Sequence, residues 1–239
     1  VDTLLTLEAV HTHIGRYHIL QGVDLEVPRG GVTMLLGRNG AGKTTTLRTI
    51  MGLWRASSGR ILFDGVNIST LATPDISRLG VAYVPENMGI FTDLSVEENM
   101  VLGAVTGPPD GDRLDWIFSA FPPLKTFWKL PAGLLSGGQK QMLSFARAVI
   151  EPRRLYLIDE PSKGLAPAIV TSLARALQEL KDDEATILLV EQNFPMARRL
   201  GDTVNVMDDG TVVHQGSMAK LAADTVLQEK LMGLSMESS

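Results

Sequence analysis

Gly37-Arg38-Asn39-Gly40-Ala41-Gly42-Lys43-Thr44 fits the spacing G-x-x-x-x-G-K-[ST] at every fixed position. Just before it, Val32-Thr33-Met34-Leu35-Leu36 is short and almost wholly apolar, the pattern of a strand covered on both faces. Residues 43–51 then read as a helix. Glycines let the backbone between strand and helix curl, so that successive N–H groups point inward at one anion. The helix start adds its positive end at the same place. Lys43 can reach the β- and γ-phosphates of a nucleotide, and the Thr44 hydroxyl suits Mg²⁺. An ordinary β–α turn of a doubly wound protein shares the glycines, but the complete motif between strand and helix favours a phosphate cradle.

Residues 4–10 and 20–27 alternate apolar and polar side chains, as half-buried strands do, and Pro28-Arg29-Gly30-Gly31 turns the chain. Residues 61–63, 81–84, 155–158 and 186–190 read as further strands, and 167–180 as a helix. Residues 204–207 and 211–213, separated by Asp208-Asp209-Gly210, read as a hairpin. Residues 219–232 read as a closing helix, followed by a polar tail. Between 87 and 150 strand signals vanish and helical periods take over, around the loop Gly107-Pro108-Pro109-Asp110-Gly111-Asp112. The expected architecture is α/β: a P-loop NTPase core with a mostly parallel sheet, an antiparallel β N-terminal part and an inserted helical subdomain at 87–150. All of it belongs to one domain, residues 1–239.

The composition is ordinary globular material, 44% hydrophobic and 21% charged over 239 residues. With 22 basic and 27 acidic residues the formal charge is −5, which argues against a broad grip on nucleic acid. The absence of Cys excludes a disulfide scaffold, Cys-ligated zinc and a thiol nucleophile. His11, His13, His18 and His214 lack metal-ligand spacing and read as surface or packing residues. No apolar stretch approaches the ~18–20 residues that cross a bilayer, and Val1-Asp2-Thr3-Leu4-Leu5 lacks the pattern of a signal peptide. Work at a membrane is therefore expected to go through a partner.

Leu155-Tyr156-Leu157-Ile158-Asp159-Glu160 is an apolar strand ending in two acids, at the edge where ligands sit in open α/β sheets. Asp159 can hold Mg²⁺ opposite Thr44, and Glu160 can polarise a water for in-line attack on the γ-phosphate. A solvated acid pair that merely ends the strand is the alternative. Leu135-Ser136-Gly137-Gly138-Gln139 opens a helix over 139–150, with Ser136 placed to cap it. The same segment could be a second anion site. One γ-phosphate hardly needs two such helix starts from one molecule, so two molecules facing each other and sharing nucleotides is the simplest reading.

The phosphate loop, Leu135 to Gln139 and Leu155 to Glu160, in this order, resemble the ATP-binding-cassette family of transport ATPases across essentially the whole chain. The resemblance implies ATP and Mg²⁺ as cofactors and a head-to-tail dimer. Nucleotide contacts would come from Gly37 through Thr44 and from Thr45. Ser136, Gly137, Gly138 and Gln139 would face the nucleotide held by the opposite subunit. Lys43 and Glu160 would be catalytic, with Gln192 holding the γ-phosphate and attacking water, and Mg²⁺ would meet Thr44, Asp159 and Glu86. Most cassettes carry Gln at the place of Glu86, an acid at Ala166 and a histidine at Gln192. Those departures together resemble the smaller ATPase subunit of branched-chain amino-acid importers. Ile14 stands where most cassettes stack an aromatic ring on adenine, and Tyr17 is close but offset. The implied partners are integral membrane permease subunits, a second ATPase subunit and an external solute-binding protein, with no nucleic acid. The implied place is peripheral, at the cytoplasmic face of the inner or plasma membrane. An ATPase serving an exporter or lipid extraction shares every ATP motif and is the alternative.

Overall fold

The computed structural model describes residues 2–232. An antiparallel sheet holds β1 (Thr3–Ile14), β2 (Tyr17–Pro28), β4 (Ala56–Phe63) and β5 (Val66–Asn67), in the order β2-β1-β4-β5. The second sheet holds β3 (Gly31–Gly37), β6 (Val81–Val84), β7 (Leu155–Asp159), β8 (Thr186–Val190), β9 (Thr203–Asp208) and β10 (Thr211–Ser217). Its order is β10-β9-β3-β8-β7-β6, parallel throughout except for β10 at the edge.

Side chains that alternate between two buried faces explain why β3, β7 and β8 are mostly apolar. Val32, Met34 and Leu36 of β3, Tyr156 and Ile158 of β7, and Ile187 and Leu189 of β8 enter one core. Leu35, Leu157, Leu188 and Val190 point the other way, into a core shared with Leu5, Leu7 and Val10 of β1. Helix α1 (Lys43–Ile50) contributes Leu47 and Ile50 to that second core, so it lies clamped between the two sheets. A strand with both faces buried reads as a nearly continuous apolar run, and a polar side chain within it needs a partner, as Thr33 has in Thr203 at 2.9 Å.

Between β6 and β7 the regular elements are helices: α3 (Val96–Gly103), α4 (Gly111–Ala120), α5 (Pro122–Thr126) and α6 (Gly137–Val149), preceded by the short α2 (Thr73–Arg78). Ser95 caps α3 in a reciprocal capping box with Glu98. Then α7 (Pro167–Asp182) and α8 (Phe194–Leu200) flank β8. The closing helix is two pieces, α9 (Met218–Ala223) and α10 (Thr225–Met232). Asp224 lies between them, and its carboxylate accepts the Leu227 N–H at 2.9 Å, a new cap rather than a continuing helix. The polar tail lies outside the described residues. No described helix is long and apolar enough to cross a membrane.

The first two strands run longer than the alternation at 4–10 and 20–27 suggests, joined only by Gly15 and Arg16. Their register sets His13 opposite His18. The two rings stack 4.2 Å apart and 4° from parallel, and His11 Nδ1 lies 2.9 Å from His18 Nε2. These three histidines pack against one another along the hairpin.

Candidate functional site

Because β3, β6, β7 and β8 are parallel, their C-terminal ends meet at one edge. β3 feeds the loop 37–42. Gly37 has φ 144°, and a Cβ there would lie 2.3 Å from the Met207 carbonyl oxygen, so only glycine lets the loop pass. No side chain caps α1 and its first turn holds no acid, which leaves its N–H groups for an anion. Lys43 folds back over the loop, its Nζ donating to the carbonyls of Gly37 at 2.9 Å and Arg38 at 3.0 Å. Burial pulls the Lys43 ammonium below its usual range, while Glu160 and Asp159 push it back up.

Asp159 ends β7 fully buried and accepts hydrogen bonds from the Thr44 hydroxyl at 3.1 Å and the Tyr83 hydroxyl at 3.4 Å. Burial, with added repulsion from Glu86 and Glu160, raises its pKa to about 6 against the Thr44 bond that lowers it. Glu160 follows with φ 45° and 8% exposure. A glutamate in the left-handed region costs on the order of 1–3 kcal/mol, and the kink breaks the strand alternation. Glu160 Oε1 accepts from Gln192 Nε2 at 2.6 Å and lies 3.8 Å from Lys43 Nζ. The same Gln192 nitrogen donates to Asn39 Oδ1 at 2.8 Å. Thus Asn39 of the phosphate loop, Glu160 and Gln192 meet through one amide.

Glu86, just past β6, is paired with Lys163 at 2.6 Å. Lys163 also lies 3.3 Å from Glu160 Oε2. Glu191, 2% exposed, accepts from the Ser162 N–H and hydroxyl and from the N–H groups of Gln192 and Asn193, all at 2.9–3.1 Å. It ties the loop after β7 to the loop after β8. Sequence reading assigned no role to Lys163 or Glu191. An acid at the end of a fully buried strand was the available signal for Glu191, since such a group must find donors.

A cleft of about 320 Å³ is lined by Asn39, Gly40, Gly42 and Lys43 through Thr45, with Glu86, Glu160, Lys163 and Ile19. Arg38 is exposed beside it and Ala41 is buried beneath the loop. Ile14 and Tyr17 do not line this cleft. They face each other at the end of the hairpin, Tyr17 60% exposed with the Arg16 guanidinium 5.2 Å from its ring centroid. Ile19 is the apolar residue among those that line the cleft. None of the lining residues comes from 135–139. There Ser136 Oγ accepts from Gln139 N–H while Gln139 Oε1 accepts from Ser136 N–H, so both are used in capping α6. Ser136 and Gly137 are exposed, and a Cβ at Gly137 would meet nothing within 4 Å. Gly138 differs: its Cβ would lie 3.1 Å from Ile169, so it lets α6 pack on α7.

The donor set suits Mg²⁺. Thr44 and Asp159 offer hard oxygens side by side, and no group of three or more acids or histidines forms a metal cage among the described residues. Mg²⁺ needs only one or two carboxylates when phosphate and water complete its shell. Asp159 must be ionised to serve, and a proton holds it below about pH 6. A raised carboxyl pKa favours the neutral form, so Mg²⁺-dependent nucleotide binding is expected to weaken below pH 6, approaching tenfold per pH unit. Mg²⁺ titrations of a labelled nucleotide from pH 5 to 8 check this, and Asp159→Asn should remove the dependence.

The sequence pattern of the ABC transporter family matches residues 20–163. The high-affinity branched-chain amino acid transport ATP-binding protein BraG of Pseudomonas aeruginosa is 35% identical over 96% of this chain and 100% of its own length. A probable branched-chain amino acid transport ATP-binding protein LivF of Archaeoglobus fulgidus is 36% identical over 91% of this chain and 93% of its own. Among solved structures, an ATP binding subunit of an ABC transporter superposes with TM-score 0.81 at 29% identity, covering 97% of this chain and 95% of that one. A cassette solved as a dimer with ADP and phosphate shares the fold, with TM-score 0.80 at 22% identity over 90% and 98%. A phosphate loop, a strand-end acid pair and full-length likeness to transport ATPases lead to one conclusion: the chain is an ATPase subunit and belongs to the ABC transporter family.

Proposed function

We propose that this ATPase drives an importer of branched-chain amino acids or related small polar, amide or organic-acid solutes. The observation that carries the catalytic part is the Gln192 amide joining Asn39 to Glu160, which brings the phosphate loop, the acid and the loop after β8 to one point. The loop N–H groups and Lys43 hold phosphate charge. Glu160 accepts the proton of the attacking water, and Gln192 keeps that water and the γ-phosphate in line. Mg²⁺ supplies charge neutralisation between the phosphate oxygens when bound. The solute class is supported by likeness to the BraG and LivF proteins over nearly their whole length.

Ser136 and Gly137 face outward on α6, away from the chain's own cleft, which supports a second cassette as the molecule that uses them. Membrane permease subunits need a docking surface, and a cleft of about 410 Å³ lies between Tyr83, Pro85 and Met88 on one side and Leu102, Ser144 and Arg147 on the other. Ser144 and Arg147 donate to the carbonyls of Met88 and Gly89, both at 2.6 Å. Helix α6 and the loop behind Glu86 are therefore linked. Within that loop Ile90 packs on the core, while Phe91 stands exposed. Peripheral attachment at the cytoplasmic membrane face and an external solute-binding protein complete the reading.

Copurification of the chain with its membrane subunits, followed by reconstitution in vesicles, tests it. ATP-dependent uptake of labelled leucine, isoleucine or valine is the expected result. ATP-dependent efflux or lipid release would assign the chain to an exporting system instead. For the base, apolar contact with Ile19 takes the place of a stacked ring. Tyr17→Ala is expected to change ATP affinity by less than about threefold, whereas a tenfold loss, about 1.4 kcal/mol, would give adenine to Tyr17.

A further inference from the structure

Lys163 stands at the meeting point of two acids from different strands. Its Nζ lies 2.6 Å from Glu86 Oε1, beyond β6, and 3.3 Å from Glu160 Oε2, beyond β7. All three residues line the same cleft as Lys43 and Thr44. The backbone that carries Lys163 is held in place: its N–H donates to the Glu160 carbonyl at 3.2 Å, and its neighbour Ser162 is held twice by buried Glu191. The side chain is different, 56% exposed and four methylenes long, so it can swing while its Cα stays fixed.

We propose that Lys163 is a positioning residue of the hydrolytic site, a resident cation that holds Glu86 beside Glu160 and gives Glu86 up when the metal nucleotide binds. The proposal rests on the reading of Glu86, Asp159 and Thr44 as metal contacts. An ammonium 2.6 Å from Glu86 Oε1 already neutralises much of that carboxylate's charge, and a second cation brought to the same group is repelled by the first at close range. Glu86 therefore passes from one positive partner to another, and the Mg²⁺ requirement is set partly by how firmly Lys163 holds on. After the exchange Lys163 keeps its second partner, Glu160 Oε2. A solvated lysine that only decorates the surface is the competing account, and exposed ion pairs are often worth little.

The test titrates Mg²⁺ against a fluorescent, non-hydrolysable ATP analogue and reads binding rather than turnover. Lys163→Met is expected to lower the half-saturating Mg²⁺ concentration about three- to fivefold, the worth of one exposed ion pair. Lys163→Arg, which keeps the cation, is expected to restore the wild-type value. In the Glu86→Gln background, where the pair is already broken, Lys163→Met should shift half-saturation by less than about twofold. An equal gain in that background would mean that the lysine acts through space as a plain charge, and would overturn the exchange. An unchanged or higher half-saturation in Lys163→Met overturns it too. Asp159→Asn separates the two levels: loss of the Mg²⁺ response there with no effect of Lys163→Met sinks the proposal alone. If neither substitution alters the Mg²⁺ response, the metal-site reading falls with it.

Discussion

Glu160→Gln is expected to cut phosphate release by about a hundredfold or more, the usual worth of a general base, while ATP still binds. The variant should also accumulate as a dimer when ATP is present. The physical basis is local. Glutamine keeps the size of the side chain and can still pair with Gln192, whose amide now lies 2.6 Å from Glu160 Oε1. Lys43 and the loop N–H groups stay in place to hold the γ-phosphate. Only the capacity to accept a proton is lost. Gel filtration with and without ATP, beside a phosphate-release assay, reads both halves of the expectation. Near-normal release would remove Glu160 from its role, and the catalytic proton would have to leave by another route.

A second large effect is expected from mixing two inactive variants. Lys43→Ala damages the site that a molecule builds from its own phosphate loop. Ser136→Arg damages the site that its neighbour builds, because Ser136 and Gly137 face outward and line no part of their own cleft. A homodimer of either variant has both sites broken. In a mixed dimer, the intact phosphate loop of the Ser136 variant meets the intact Ser136–Gln139 segment of the Lys43 variant, which makes one whole site. Activity should therefore reappear on mixing, provided one site can fire alone. Absence of recovery in dimers proven by crosslinking would show that both sites act together or that nucleotides are not shared. Where the natural partner is a different cassette, Ser136 is changed here and the lysine there.

Much of this architecture is legible in local patterns. The apolar runs at β3, β7 and β8 show which strands are covered on both faces, and the helical stretch after β6 shows where the sheet stops. The phosphate loop needs no partner from far away to be read. Other features depend on contacts that no local period records. The Lys163–Glu86 pair spans two loops, and each residue alone looks like an ordinary surface charge. Ile14 stands at the position where most cassettes stack a ring on adenine, and that the two-residue turn sets Tyr17 directly opposite it across the hairpin is a matter of register that no local period records. Helix α8 was readable in principle, since Asn193 accepts the Met196 N–H as a cap and Pro195 follows, but its seven residues are too few for a period to stand out. The break at Asp224 is similar: an acid inside a helical pattern reads as a solvated face until its cap is seen.

The left-handed backbone at Glu160 sets durability against chemistry at a single residue. Glycine there would relax the main chain by on the order of 1 kcal/mol, and asparagine tolerates that conformation better than glutamate does. Both would take away the carboxylate. A laboratory evolution experiment that rewards heat resistance and ignores turnover would gain that backbone relief only by leaving buried Lys43 and the Gln192 amide without their carboxylate partner. On the role proposed for Glu160 such descendants would also be inert, so the strained backbone and the chemistry are tied to one and the same side chain.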